Sequence, residues 1–341
     1  MTGLRSVLGA TVALMLSLPA IATASADGLQ AAPPGALTDR LASVRNDVFT
    51  RPDRRDQSVK QLHEIIALDP TLAEPHMLLG IIHSSRGTSD MQAEAVAEFR
   101  QALDLDPAFV PARFYLAHVY FELGLIDRAR DELTILTERV PGGAQFRATL
   151  GEAERRLGNP TRAVALTREA LAIDPTSVEA RYYQGLAQAD LGQMNDAIAS
   201  FEAVLKMRPT MADAQLSLGV AYLSAGQLDG AIAALERGLQ LAPPKPRTRI
   251  FLARAYRLKG RLTAAEAELD RALPPGAAME ASTEFERIEV DLLIERGLVR
   301  LAEKRPALAR QFFDKALTMN PSPEAKARID TALQSMKGPA R

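Results

Sequence analysis

The chain has 341 residues, with 41 Lys and Arg against 42 Asp and Glu, a formal net charge of −1, and neither Cys nor Trp. So even a balance withholds the excess of cation on which nucleic-acid or anionic-membrane binding draws. The absence of cysteine excludes disulfides, thiolate metal sites, Cys nucleophiles and lipidation at a cysteine.

In chain order, the first predicted element is an export leader. Residues 1–26 carry a basic start at Arg5, an apolar run Val7–Leu18, then Pro19 and Ala-Thr-Ala-Ser-Ala, the three parts of a secretory signal peptide. Cleavage is expected after Ala26, with Ala24 and Ala26 as the small pair; a cut after Ala24 competes with it. The alternative is an uncleaved membrane anchor, since Val7–Ala24 is apolar throughout. Arg greatly outnumbers Lys, and with the short leader this points to a periplasm. Residues 27–37 follow as a flexible linker.

Beyond it, hydrophobic residues make up 47% of the chain and aromatic ones only 5%, with Ala and Leu dominant, which favours helices over pleated sheets. A 34-residue step organises them: Pro107, Pro141, Pro175, Pro209 and Pro243. The same step relates the small residues Ala117, Gly151, Gly185, Gly219 and Ala253, and again Ala129, Ala163, Ala197, Ala231 and Ala265. It relates the turn glycines Gly124, Gly158, Gly192, Gly226 and Gly260, and the polar residues Asp127, Thr161, Asn195, Asp229 and Thr263. Each class has a physical role. The prolines stop a helix, and the glycines end one where a left-handed backbone is cheap. The polar residues have the side chains of N-caps, Thr263 completing a capping box with Glu266. The small residues let two helices approach. Each unit is therefore a helical hairpin with two helices of about 13 residues.

This pattern resembles the tetratricopeptide repeat (TPR) family, through Leu218, Gly219, Tyr222, Gly226, Asp229, Ala231, Leu235 and Pro243 in one unit and Gly185, Gly192, Asn195, Ala197, Phe201 and Pro209 in the unit before it. The resemblance implies an all-α, right-handed superhelical solenoid of antiparallel helix pairs, about eight units long. Residues 38–72 are read as a degenerate N-terminal capping hairpin and 73–277 as tandem units, the first with three extra residues in its inter-helix turn. Residues 278–323 are read as a C-terminal unit whose first helix is lengthened backwards, and 324–341 as a capping helix and tail. Where the family places a bulky residue, this chain has Arg113, Arg147, Arg181 and Gln215, which implies looser first-helix packing.

By the same resemblance the first helices line a concave groove. The positions facing it are Phe114, His118 and Phe121; Arg155 and Arg156, with Glu152; Tyr182 and Leu186; Leu216, Val220 and Leu223; and Ile250, Arg254 and Arg257, with Arg247. Apolar side chains there mark a partner site, and arginines suit carboxylates. Equally, Phe114, Tyr182 and Leu216 could pack between neighbouring first helices, and periodicity leaves both readings open. The Lys and Asn of the family's chaperone-tail clamp are replaced by Phe114, His118, Ala148 and Glu152, so that chemistry is not expected.

No cofactor, metal or catalytic residue is expected. His76 and His83 share a helix face but stand where the family has inward aromatics, so they are read as packing. The pair Glu152 and Glu154 is read as lying at the surface, and no phosphate loop or nucleophile elbow occurs. The expected function is a non-catalytic protein–protein scaffold of the cell envelope, binding envelope assembly components, with no nucleic acid and no membrane insertion after cleavage. The alternatives are a solenoid for a glycan or lipid, or an accessory subunit of an envelope enzyme complex.

Overall fold

Short amphipathic stretches bounded by Gly and Pro can bury their apolar side only against one another, and the computed structural model resolves them as helices packed in sequence. It describes residues 35–242, 245–273 and 283–336. The leader, most of the linker, Pro243, the junction at 274–282 and the last five residues lie outside the described residues. The helices are α1 Ala36–Thr50, α2 Arg55–Leu68, α3 Ala73–Arg86, α4 Ser89–Leu105, α5 Val110–Glu122, α6 Ile126–Arg139, α7 Ala144–Arg156, α8 Pro160–Ile173 and α9 Val178–Asp190. They continue as α10 Met194–Met207, α11 Ala212–Ser224, α12 Leu228–Leu241, α13 Pro246–Leu258, α14 Leu262–Ala272, α15 Thr283–Ala302, α16 Pro306–Thr318 and α17 Pro323–Ser335. No strand occurs among the described residues. The architecture is an all-α helical-repeat solenoid.

The chain divides into two compact units, residues 1–183 and 184–341, the boundary falling within α9. In the first, one continuous apolar core runs from Leu41 to Leu166. In the second, smaller clusters follow one another: one around Leu235 and Leu252, one around Ile250 and Leu269, and one around Ile294, Phe313 and Ile329. Burying side chains such as Phe99 or Phe313, both fully enclosed, contributes on the order of 2 kcal/mol each.

The punctuation behaves as its chemistry dictates. Gly124, Gly158, Gly192, Gly226 and Gly260 all have φ between 73° and 84°, the left-handed region that ends a first helix. Gly185 is needed for close approach: a Cβ there would meet the Phe201 ring at 2.7 Å. At the stops, Asp69, Asp106 and Asp174 fold their carboxylates over the following proline to accept the N–H of the second residue on, at 2.9–3.0 Å.

Three expectations are corrected. Asp127, Thr161, Asn195, Asp229 and Thr263 do not cap; the caps are Leu125, Asn159, Gln193, Gln227 and Arg261, without a side-chain bond, and the polar residues lie two positions further on, in the first turn. There Asp127 and Asp229 still favour the positive helix end. The extra residues near 88 do not enlarge the turn, which is Gly87 and Thr88; they extend α4 to 17 residues. The arginines in place of a bulky residue do not loosen the packing but clamp it. Arg113 donates to the Pro107 carbonyl at 3.0 Å, Arg147 to that of Pro141 and Arg181 to that of Pro175. Arg113 also grips Glu132, and Arg147 lies 3.3 Å from Glu169, so each ties a first helix to the second helix of its own hairpin.

Candidate functional site

In the first unit, α5 and α7 adjoin within one core, and their facing side chains interlock. Phe114 meets His118 edge-on with ring centroids 4.5 Å apart, and Phe146 of α7 at 5.2 Å. Phe114, His118 and Phe121 are all buried, so packing explains them; they are not presented to a partner. Burial pushes the His118 imidazole down to about 4, and its Nδ1 has no partner. His118 is therefore a neutral member of an aromatic cluster.

The arginines expected to await a partner's carboxylate hold one from their own chain. Glu152, expected at the surface, is only 5% exposed. It accepts from Arg155 Nε at 2.8 Å and Nη2 at 3.0 Å, and from Arg156 Nε at 2.7 Å. A buried carboxylate must be paired in this way or surrender its charge. Arg156 also stacks over Phe121 at 5.3 Å. Tyr182 is half-buried, its ring 6.0 Å from that of Tyr183. Burial first, and then the Glu152 charge, raises the Tyr183 hydroxyl above its usual range.

The second unit repeats the theme on a larger scale. Leu216 is half-buried and lies against Gly238 of α12, so it closes its own hairpin. Leu223 and Ile250 are core, whereas Leu186 and Val220 remain half-buried. Arg254 and Arg257 of α13 converge on Glu295 of α15, which has no exposed surface: Arg254 Nε donates to Oε1 at 2.6 Å and Arg257 Nε to Oε2 at 3.2 Å. Arg328 of α17 adds Nη2 to Oε1 at 2.5 Å, and Nη1 to Asp291 at 2.9 Å. Burial, with the nearby Arg254 charge, pulls Arg328 below its ordinary range. Arg247 and Arg254 flank the Phe251 ring at 5.9 and 5.7 Å. Glu295 and Arg328 escaped the sequence reading. The signal was Asp291 and Glu295, one turn apart within an apolar helix, opposite a basic one.

His76 pairs with Glu98 at 2.7 Å, and His83 lies 3.1 Å from Glu94. Among the described residues no three His, Asp or Glu gather as metal ligands, and no helix is long and apolar enough to cross a membrane. The first-helix faces thus offer half-buried aliphatic and aromatic side chains and guanidinium groups fixed by carboxylates of the same chain.

Two family models, both described as tetratricopeptide repeat, match the sequence: one at residues 93–152 and 223–278, the other at 182–246. No curated protein matches it. Among solved structures it is similar to the APC/C hetero-tetramer Cut9–Hcn1, with 21% identity over 77% of this chain and a TM-score of 0.61; the chain spans about half, 48%, of that one. A tetratricopeptide repeat protein from Parabacteroides merdae ATCC 43184 matches at 15% identity over 79% of this chain and 99% of its own, TM-score 0.57. PilW, described as a widely conserved type IV pilus biogenesis factor, matches at 22% identity over 61% of this chain and 95% of its own, TM-score 0.56. At such identities these likenesses concern the fold.

Proposed function

Since the chain belongs to the tetratricopeptide repeat family, whose members generally mediate protein–protein interactions, we propose that it is a non-catalytic protein-binding scaffold of the cell envelope. The observation that carries this reading is the state of the first-helix faces. Their buried carboxylates, Glu152 and Glu295, are each held by two or more arginines, so their oxygens are already engaged within the chain. Elsewhere on the first helices Tyr182, Leu186 and Val220 stay half-buried and Leu258 is 50% exposed. Such surface favours a partner's apolar side chains. A scaffold already folded gives up little ordering entropy when it binds. The leader pattern of residues 1–26 supports export to a periplasm, with cleavage after Ala26 or Ala24.

Photo-crosslinking in the native cell tests this, using the full-length tagged chain with a photoreactive residue at Tyr182, Val220 or Leu258 in turn. Protein adducts from these positions are expected, in a periplasmic fraction whose chain begins at Asp27 or Ser25. Adducts with glycan or lipid alone would move the reading to a ligand-binding solenoid. A cytoplasmic chain with its leader intact would remove the envelope role.

A further inference from the structure

The guanidinium groups around Glu295 are more numerous than the acids they neutralise. Among the described residues Arg254, Arg257 and Arg328 face only Glu295 and Asp291, and Arg247 lies nearby across Phe251 with no acidic partner. Arg254 and Arg257 each bind Glu295 through Nε alone, so their terminal nitrogens have no hydrogen-bond partner among the described residues. Those nitrogens are also absent from the enclosed polar atoms, and the Arg254 side chain keeps 26% of its surface in solvent. An arginine anchored by a buried carboxylate through one edge, with its other donors facing outward, is a preorganised receptor for a second anion.

Position along the helix adds the rest. Arg247, Phe251, Arg254 and Leu258 succeed one another at intervals of four, three and four residues, so they form one stripe of α13. The stripe is about 16 Å long, the reach of about five extended residues. It alternates cation, ring, cation and an exposed aliphatic.

We infer that this stripe of α13, with the guanidinium group of Arg257 beside it, is a docking site for a short acidic peptide segment of a partner protein: carboxylates sit on Arg247 and Arg254 across Phe251, and an apolar side chain sits on Leu258. The inference deepens the scaffold reading and rests on it. Charge complementarity names the occupant, since the four arginines exceed their two acids and leave cation for a ligand to neutralise. The stripe favours peptide over an acidic glycan. Hydroxyl-rich sugars call for acceptors and broad ring faces, whereas the stripe offers donors and one phenyl ring, and the chain has no Trp.

Fluorescence anisotropy with the purified full chain provides the test. The probe is a short labelled peptide alternating glutamate and leucine, and its glutamine counterpart and oligogalacturonate are unlabelled competitors. Binding should weaken about tenfold in the Arg247→Gln, Arg254→Gln double variant, the loss of charge-assisted bonds to an anion. Arg310→Gln removes one positive charge, as Arg247→Gln alone does, on an exposed arginine and should leave binding as it was. Glutamine peptide should not compete. Arg247→Gln alone disturbs only a ring contact, so an unchanged melting temperature with weakened binding separates docking from folding. Equal losses in Arg310→Gln, no binding, or tighter competition by oligogalacturonate through the same arginines would each overturn the inference. If the peptide ignores these arginines while crosslinking still captures a protein, the site falls and the scaffold stands. If no position yields a protein adduct, the scaffold reading itself falls.

Discussion

The two units solve the same electrostatic problem at different ranges. In the first, Glu152 is neutralised by Arg155 and Arg156, three and four residues further along its own helix. In the second, Glu295 is neutralised by arginines 41, 38 and 33 residues away, on α13 and α17. The chemistry is the same, yet a local pair fixes one helix surface while the distant set ties three helices together. Buried ion pairs add little to stability against an apolar alternative, but losing one member leaves charge stranded. The second arrangement therefore makes α17 depend on a group two helices earlier.

The sharpest way to break this contrast is Glu295→Gln. It removes the carboxylate that Arg254, Arg257 and Arg328 share, and unfolding free energy should fall by about 3–5 kcal/mol, read by denaturant titration. Amide exchange should show α17 opening first. If α17 keeps its protection, the knot is not what secures it. Acid should discriminate the units next, because all four histidines precede residue 119 and so lie in the first. The folded His118 value of about 4 lies below the ordinary 6.5 of an imidazole, so its contribution is whole above about 6.5 and lost as the pH falls towards 4. The loss amounts to about 3 kcal/mol, confined to the first unit; His118→Leu should flatten the pH dependence of its melting.

A smaller effect is expected from Gly297→Ala in the second unit, where a Cβ would press on the Phe313 ring at 2.3 Å. Overpacking of this kind costs about 1–3 kcal/mol, measured as a shift in denaturant midpoint without a change in slope. The mildest is Glu152→Gln, about 1–2 kcal/mol, because Arg155 and Arg156 belong to one helix surface and can turn outward to solvent. A loss matching that of Glu295→Gln would erase the distinction between local and distant knots.

Much of the fold was legible because its signals are local. A proline removes a donor, and a left-handed turn selects glycine, wherever the chain later goes. Thus the 34-residue step gives each hairpin, and Gly124 to Gly260 mark the turns. The candidate site was less legible because burial on a repeated helix depends on its neighbours. Phe114 and Ile250 occupy the same register as Tyr182 or Leu216, and only packing decides which are enclosed. Likewise, nothing in Arg254 and Arg257 indicates that the carboxylate they hold comes from α15 of the same chain.

The clamps of Arg113, Arg147 and Arg181 have an evolutionary corollary. Each grasps a main-chain oxygen six residues back, and such an oxygen is present whatever amino acid carries it. Excising residues 142–175 would set Arg181 six positions beyond Pro141, before an equivalent oxygen. An array joined in this manner can gain or lose whole modules by recombination, with the splice already compatible on both sides.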